Sequence, residues 1–171
     1  MDTYNWRFDA GNSVEKAIIK SSEHGVALYT VGEAADVLGV SVQTLRYYEA
    51  EGLVIPIHRQ SRHRRYTHED IDRLRCVRNM INKEKVSIQG IKRLLAFIPC
   101  WEIRGCSEAS RRSCPAVTNA TLPCWMVSNK SKECRNVECR LCAVYTQTAD
   151  CHRLKQVALD CGGLRAARTN S

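Results

Sequence analysis

The chain has 171 residues, a formal charge of +8 and ten cysteines. That length suits one domain of ordinary size, or a small domain followed by a second that needs a staple. No apolar run approaches the ~18 residues of a membrane-spanning helix, and the polar start Met1-Asp-Thr-Tyr-Asn-Trp-Arg7 lacks the apolar stretch of a secretory signal. A cytoplasmic protein with no membrane contact is therefore expected. In that compartment structural disulfides are disfavoured, so ten cysteines point to metal ligands or redox thiols. The positive charge suits a polyanionic partner, nucleic acid first, although charge alone equally suits a membrane surface.

Residues 1–28 read as a flexible leader in which Ser13 caps a short helix through Lys20. Thr30-Val-Gly-Glu33 is a capping box that opens a helix over Ala34, Ala35 and Leu38, and Gly39 stops it. Ser41 caps a second helix with Leu45 and Tyr48 facing inward, ended by Gly52. Two short helices joined by Gly39-Val40-Ser41 make a helix-turn-helix. Leu53 to Ile57 and Arg65 to Thr67 are expected to pair as strands around a basic loop. Thr67 to Asp70 is a further capping box, starting a helix with Ile71, Leu74, Val77, Met80 and Ile81 at helical spacing. Ser87 begins a fourth helix carrying Ile88, Ile91, Leu94, Leu95 and Ile98 on one face.

Pro99 stops that helix, and the composition changes there: only Cys76 precedes residue 100, and nine cysteines follow between Cys100 and Cys161. The expected fold is mainly α. A winged helix-turn-helix over 29–98 is followed by a small, metal-stabilised, Cys-rich module over 99–161, with a C-terminal helix at 143–161. Residues 162–171 read as a disordered tail.

In a helix-turn-helix the start of the second helix meets base edges in the major groove. Val42, Gln43 and Arg46 occupy those positions, Gln suiting adenine and Arg suiting guanine or a phosphate. Tyr47 is placed to donate to a phosphate. The loop from His58 to Tyr66 holds Arg59, Arg62, Arg64 and Arg65, two histidines and no acid. Beside a recognition helix, such a loop follows phosphates or enters the minor groove. Arg65 has a second role open to it, pairing with Asp70 or Glu69 to fix the wing.

Tyr29-Thr-Val-Gly-Glu-Ala-Ala35, Val42-Gln-Thr-Leu-Arg-Tyr-Tyr-Glu49, Gly52-Leu53, Pro56, Arg64-Arg-Tyr66, Asp70-Ile71, Leu74 and Gly90-Ile-Lys-Arg-Leu-Leu95 together resemble the MerR family, with a wing like its heat-shock-repressor branch. The resemblance covers about 70 residues. It implies a homodimer that binds pseudo-palindromic promoters and alters the access of RNA polymerase, with Val42, Gln43, Arg46, Tyr47, Arg59, Arg62, Arg64, Arg65 and Tyr66 as the DNA-binding set. One departure is clear. Members of that family usually continue into a long dimerisation helix, whereas Pro99 and Cys100 interrupt here. The later segment 143–161, with Val144, Cys151, Leu154, Ala158 and Cys161 near heptad positions, is the candidate replacement.

The Cys-rich half carries a loose repeat. Pro99-Cys-Trp-Glu-Ile103 recurs as Pro123-Cys-Trp-Met-Val127, resembling bacterial modules with paired Cys-Trp motifs. With few large aliphatic residues, the stretch cannot easily offset its chain entropy by burial. Thiolate–metal bonds from Cys100, Cys106, Cys114, Cys124, Cys134, Cys139 and Cys142 are the expected stabiliser. Their irregular spacing favours an iron–sulfur cluster, with zinc the alternative and metal-free thiols or disulfides third. Cys76, on an amphipathic helix, reads as core.

A sequence-specific transcription regulator that senses redox or metal state is thus the leading expectation. A regulator with a purely structural zinc module is the runner-up. A thiol oxidoreductase using Cys139 and Cys142 comes last, because no strand–helix–strand pattern flanks them. No enzymatic motif is expected to operate.

Overall fold

The computed structural model describes residues 28–58, 63–149 and 151. Those residues are mainly helical. Helices α1 (Val31–Leu38) and α2 (Val42–Ala50) precede strands β1 (Ile57–His58) and β2 (Arg64–Arg65), followed by α3 (His68–Asn82) and α4 (Ile88–Ala96). The local signals act as their chemistry demands. Thr30 accepts from the Glu33 amide at 3.2 Å while the Glu33 carboxylate accepts from Thr30 N at 2.7 Å, which satisfies orphan donors at the start of α1. Gly39 ends the helix in the left-handed region, with φ at 61°. Ser41, Thr67 and Ser87 cap α2, α3 and α4 in the same manner.

The wing is an antiparallel ribbon pairing Ile57 with Arg65 and His58 with Arg64. It is shorter than the strands expected from sequence, because residues 54–56 run without a strand partner. A single bridge between Tyr29 and Tyr66, bonded in both directions at 2.8 and 3.0 Å, ties its base to the chain ahead of α1. Leu38, Leu45, Leu53, Ile71, Leu74 and Ile91 are almost wholly buried and knit the helices together. Full burial of each such side chain stabilises by about 1.5–3 kcal/mol.

The Cys-rich half starts without a linker. Pro99 sits at the N-terminus of α5 (Cys100–Arg104), and the Cys100 amide donates to the Ile98 carbonyl at 2.7 Å. Short helices α6 (Glu108–Ser113), α7 (Pro115–Thr118), α8 (Lys132–Arg135) and α9 (Ala143–Thr146) follow, with single 3-10 turns at Cys124–Met126 and Cys139–Leu141. Val144 joins the core of the winged half, while Cys114, Ala116 and Val127 form a small cluster of their own.

Two expectations need correction. The helix expected over 143–161 is interrupted: it runs from Ala143 to Thr146, residues 147–149 turn, and Cys151 is again helical. Cys76 is more than core: it forms a disulfide with Cys151, their Cα atoms 5.8 Å apart. Amphipathic spacing placed Cys76 half-buried on α3, where a sulfur partner arriving from 75 residues away had no local signature. The leader helix at 13–20, Arg59, Arg62, residues 152–161 and the tail at 162–171 lie outside the described residues.

Candidate nucleic-acid interface and thiol chamber

Helical geometry puts Gln43, Arg46 and Tyr47 on one side of α2, and all three are exposed, whereas Leu45 and Tyr48 point into the core. Val42 is half-buried against that core. The acids at the C-terminal end of α2 and its cap, Glu49 and Glu51, are both paired. Glu51 meets the Lys92 ammonium at 2.8 Å, and the lysine side chain is only 8% exposed. Glu49 meets Arg64 of the wing at 2.7 Å. Burial raises the pKa of Glu49, and the Arg64 guanidinium works against that rise. The outward face of α2 is thereby left with Arg46 as its charge.

In the wing, His58, His63 and Arg64 are exposed and Arg65 is half-buried. Arg65 does not pair with Asp70 or Glu69 in the observed contacts; it donates to the Arg64 carbonyl at 3.2 Å, and Asp70 is taken by Arg140. Tyr66 also departs from its expected role. Its side chain is fully buried and its hydroxyl donates to Glu49, so it braces the helix-to-wing contact from inside. An aromatic residue at a strand end serves as core or contact with equal ease, and the sequence pattern does not distinguish the two.

The seven cysteines expected as ligands come together. Cys100, Cys106, Cys114, Cys124, Cys134, Cys139 and Cys142 all line one chamber. It keeps a cavity of about 30 Å³, above the ~10–15 Å³ that admits a single water. Trp101 and Trp125 contribute to its wall, and Arg104 and Lys130 bring positive charge. The Cys124 thiol donates to Cys100, and that bond is the main reason the pKa of Cys100 is lowered to about 7. The same bond, with burial, pushes Cys124 up. Lys130 Nζ lies 3.0 Å from the Cys139 sulfur. Burial opposes the ammonium, but the bond to Cys139 and the surrounding thiols outweigh it and raise its pKa.

Among the described residues no three His, Cys, Asp or Glu side chains converge closely enough to hold a single ion. The seven thiols share the lining of one cavity without closing into a tight tetrahedral set.

The module lies against the winged half through polar contacts that sequence reasoning missed. Arg140, inside Cys139-Arg-Leu-Cys142, bonds both carboxylate oxygens of Asp70 at 3.0 and 2.5 Å, Thr67 Oγ1 at 3.3 Å, and the Ile55 carbonyl. Trp125 donates its indole N–H to the Gly52 carbonyl at 2.8 Å. The Ile55 amide donates to the Tyr145 hydroxyl at 2.8 Å, and the Arg73 guanidinium stacks 3.9 Å from the Tyr145 ring. An arginine between two ligand-type cysteines was the available signal, but its partner lies 70 residues upstream.

Comparison with known proteins bears on the first half. Residues 29–98 match the family model described as MerR HTH family regulatory protein. The chain is 40% identical over 68 residues to heat shock protein HspR of Streptomyces coelicolor, covering 40% of this chain and 45% of that protein. It is 41% identical over 66 residues to the transcriptional regulator ZntR homolog of Haemophilus influenzae, covering 38% and 48%. Identity to the transcriptional regulator HmrR of Sinorhizobium medicae is 40% over 68 residues, covering 39% and 46%. The matches thus span less than half the length of each relative. No solved structure matches the chain. The MerR-type match ends at Ile98, immediately before the first chamber cysteine, and no helix among the described residues is long and apolar enough to cross a membrane.

Proposed function

We propose that the chain is a MerR-type, DNA-binding transcription regulator whose Cys-rich module carries an iron–sulfur cluster and reports redox or metal state. The observation that carries the reading is the pairing of an outward-facing Gln43-Arg46-Tyr47 surface with a chamber of seven thiols docked on the same domain. On the DNA side, Gln43 and Arg46 read base edges, Tyr47 donates to a phosphate, and Arg59 and Arg62 follow the backbone, while Arg64 is tied to Glu49. The protein acts as a homodimer on a two-fold promoter site, where it changes the access of RNA polymerase.

On the sensor side, four of Cys100, Cys106, Cys114, Cys124, Cys134, Cys139 and Cys142 would hold the cluster. Bound there, it supplies one-electron redox chemistry. Trp101 and Trp125 keep water from the chamber, and Lys130 directs its ammonium at the Cys139 sulfur. Regulation requires that two states of the chamber differ in their free energy of DNA binding.

A structural zinc module is the second reading, favoured by the close pair Cys139 and Cys142. Anaerobic purification with an absorption spectrum and analysis for iron, sulfide and zinc separates the two. Broad absorption near ~400 nm with iron and sulfide is expected, whereas a colourless protein with stoichiometric zinc overturns the cluster. Selection from a random double-stranded DNA library tests the other half. Enrichment of an inverted repeat is expected, and no enrichment overturns the DNA-binding reading.

A further inference from the structure

Two chamber cysteines are each followed directly by a side chain anchored in the winged half. Trp125 follows Cys124, and Arg140 follows Cys139. Their targets are the joints of the DNA-reading elements. The Gly52 carbonyl, which takes the Trp125 bond, ends the turn leaving α2. Asp70 and Thr67, which take the Arg140 bonds, are the capping box that starts α3 just beyond β2.

We infer that Trp125 and Arg140 are positioning residues that transmit the state of the thiol chamber to the recognition helix and the wing. This rests on the reading of the two halves given above. The physical basis is that each side chain is held from two directions. The turns Cys124–Met126 and Cys139–Leu141 contain no fully buried residue, and Trp125 also packs edge-on against the Tyr145 ring, their centroids 5.3 Å apart. The sulfur of Cys124 or Cys139 locates the turn on the chamber side. On the other side, Asp70 is 3% exposed and bonds Arg140 through both oxygens, a planar, bidentate contact that tolerates little sliding. A displacement of the Cys139 sulfur therefore either shifts the α3 cap or breaks the Arg140 contact. Trp125 imposes the same choice at the end of α2. Coupling of this kind needs an element with two arrangements whose balance both sites bias.

The test uses the full chain as wild type, Trp125→Phe, which keeps the ring and removes the donor, and Arg140→Lys, which keeps the charge and removes the bidentate fork. Hydrogen–deuterium exchange over residues 49–58 and 64–72 is measured before and after the chamber thiols are alkylated with iodoacetamide under chelating conditions without added reductant, so that Cys76–Cys151 stays closed. In wild type, alkylation is expected to speed exchange in both windows by about fivefold, while α4 stays unchanged. Trp125→Phe is expected to lose that response around 52–55, and Arg140→Lys around 67–70. Unchanged wild-type exchange, with mass spectrometry showing all seven thiols blocked, overturns the inference, as does a full response in both variants.

Coupling is also reciprocal. A library-selected duplex is expected to change the wild-type alkylation rates of Cys124 and Cys139, and each variant to lose that effect at its own cysteine. A merely structural role gives no such dependence on DNA, and equal dependence in the variants overturns the inference. Absence of iron and zinc would sink the cofactor reading while leaving the exchange response standing. A missing response sinks the coupling even in a protein full of iron.

Discussion

The carboxylate of Glu49 on the recognition helix lies 2.7 Å from the guanidinium of Arg64 in the wing, and the buried Tyr66 hydroxyl donates to the same carboxylate. One wing arginine is therefore held by the protein, not offered freely to a phosphate. Glu49→Gln keeps the shape and releases Arg64. DNA binding by that variant should tighten, and its salt dependence should steepen by about one phosphate contact. Titrations at several salt concentrations read this directly, and an unchanged slope counts against it.

Glu49 also sets a pH dependence. Burial raises its folded pKa above the ordinary 4.5 despite Arg64. A carboxyl group whose folded pKa is raised contributes stability that is fully present below the unfolded pKa and lost as pH rises through the folded one. The melting temperature of wild type relative to Glu49→Gln should be most favourable below about pH 4.5, then fall as pH rises through the raised value. A flat difference across that window removes the argument.

On the proposed reading, base edges are read by α2. Replacing Arg46 with Ala should weaken specific binding by about 1–3 kcal/mol, and Gln43→Ala should relax preference at one position with a smaller loss. Competition between selected and scrambled duplexes separates the two effects. If both variants lose affinity equally for every sequence, these residues touch only the backbone.

Gly52 occupies the left-handed region at φ +71°, and an added Cβ would collide with the Met126 side chain. Gly52→Ala should destabilise by about 1–3 kcal/mol from backbone strain alone, with a further loss from the collision. Met126→Ala in the same chain should recover the second part and leave the first. Denaturant unfolding of the two single variants and the double variant measures the split.

The Cys76–Cys151 bond closes a loop spanning 75 residues. Chain entropy gives such a closure about 4 kcal/mol, so oxidised wild type should melt well above reduced wild type. Cys76→Ser should melt at one temperature under both conditions. A difference that survives in Cys76→Ser would place the oxidation elsewhere.

Much of the winged half was legible because its signals are local. Thr30 with Glu33, Ser41 with Thr44 and Thr67 with Asp70 each act within one helical turn, where sequence spacing is spatial spacing. The roles of Tyr66 and Arg65 were less legible, since a β-ribbon two residues long leaves inward and outward directions to tertiary packing. In the Cys-rich half, composition indicated which seven thiols to consider, but not their arrangement around a cavity rather than about a single point. Arg140 and Trp125 escaped notice because their partners are backbone carbonyls and an aspartate already accounted for as a cap. No pattern along the chain records a contact between Arg140 and Asp70.

The module leaves the winged half at Pro99 with no linker and returns to it through the bond from Cys151 to Cys76 on α3. Two separated covalent attachments leave a body rotation about the line joining them as its least restrained motion, and the Arg140 and Trp125 contacts and the buried Val144 limit that rotation too. Whatever the chamber does, the module can rock but not swing. Its displacement is therefore given a direction by covalent structure before any ligand acts. A small rotation about that axis becomes travel at the far edge, in proportion to distance from it.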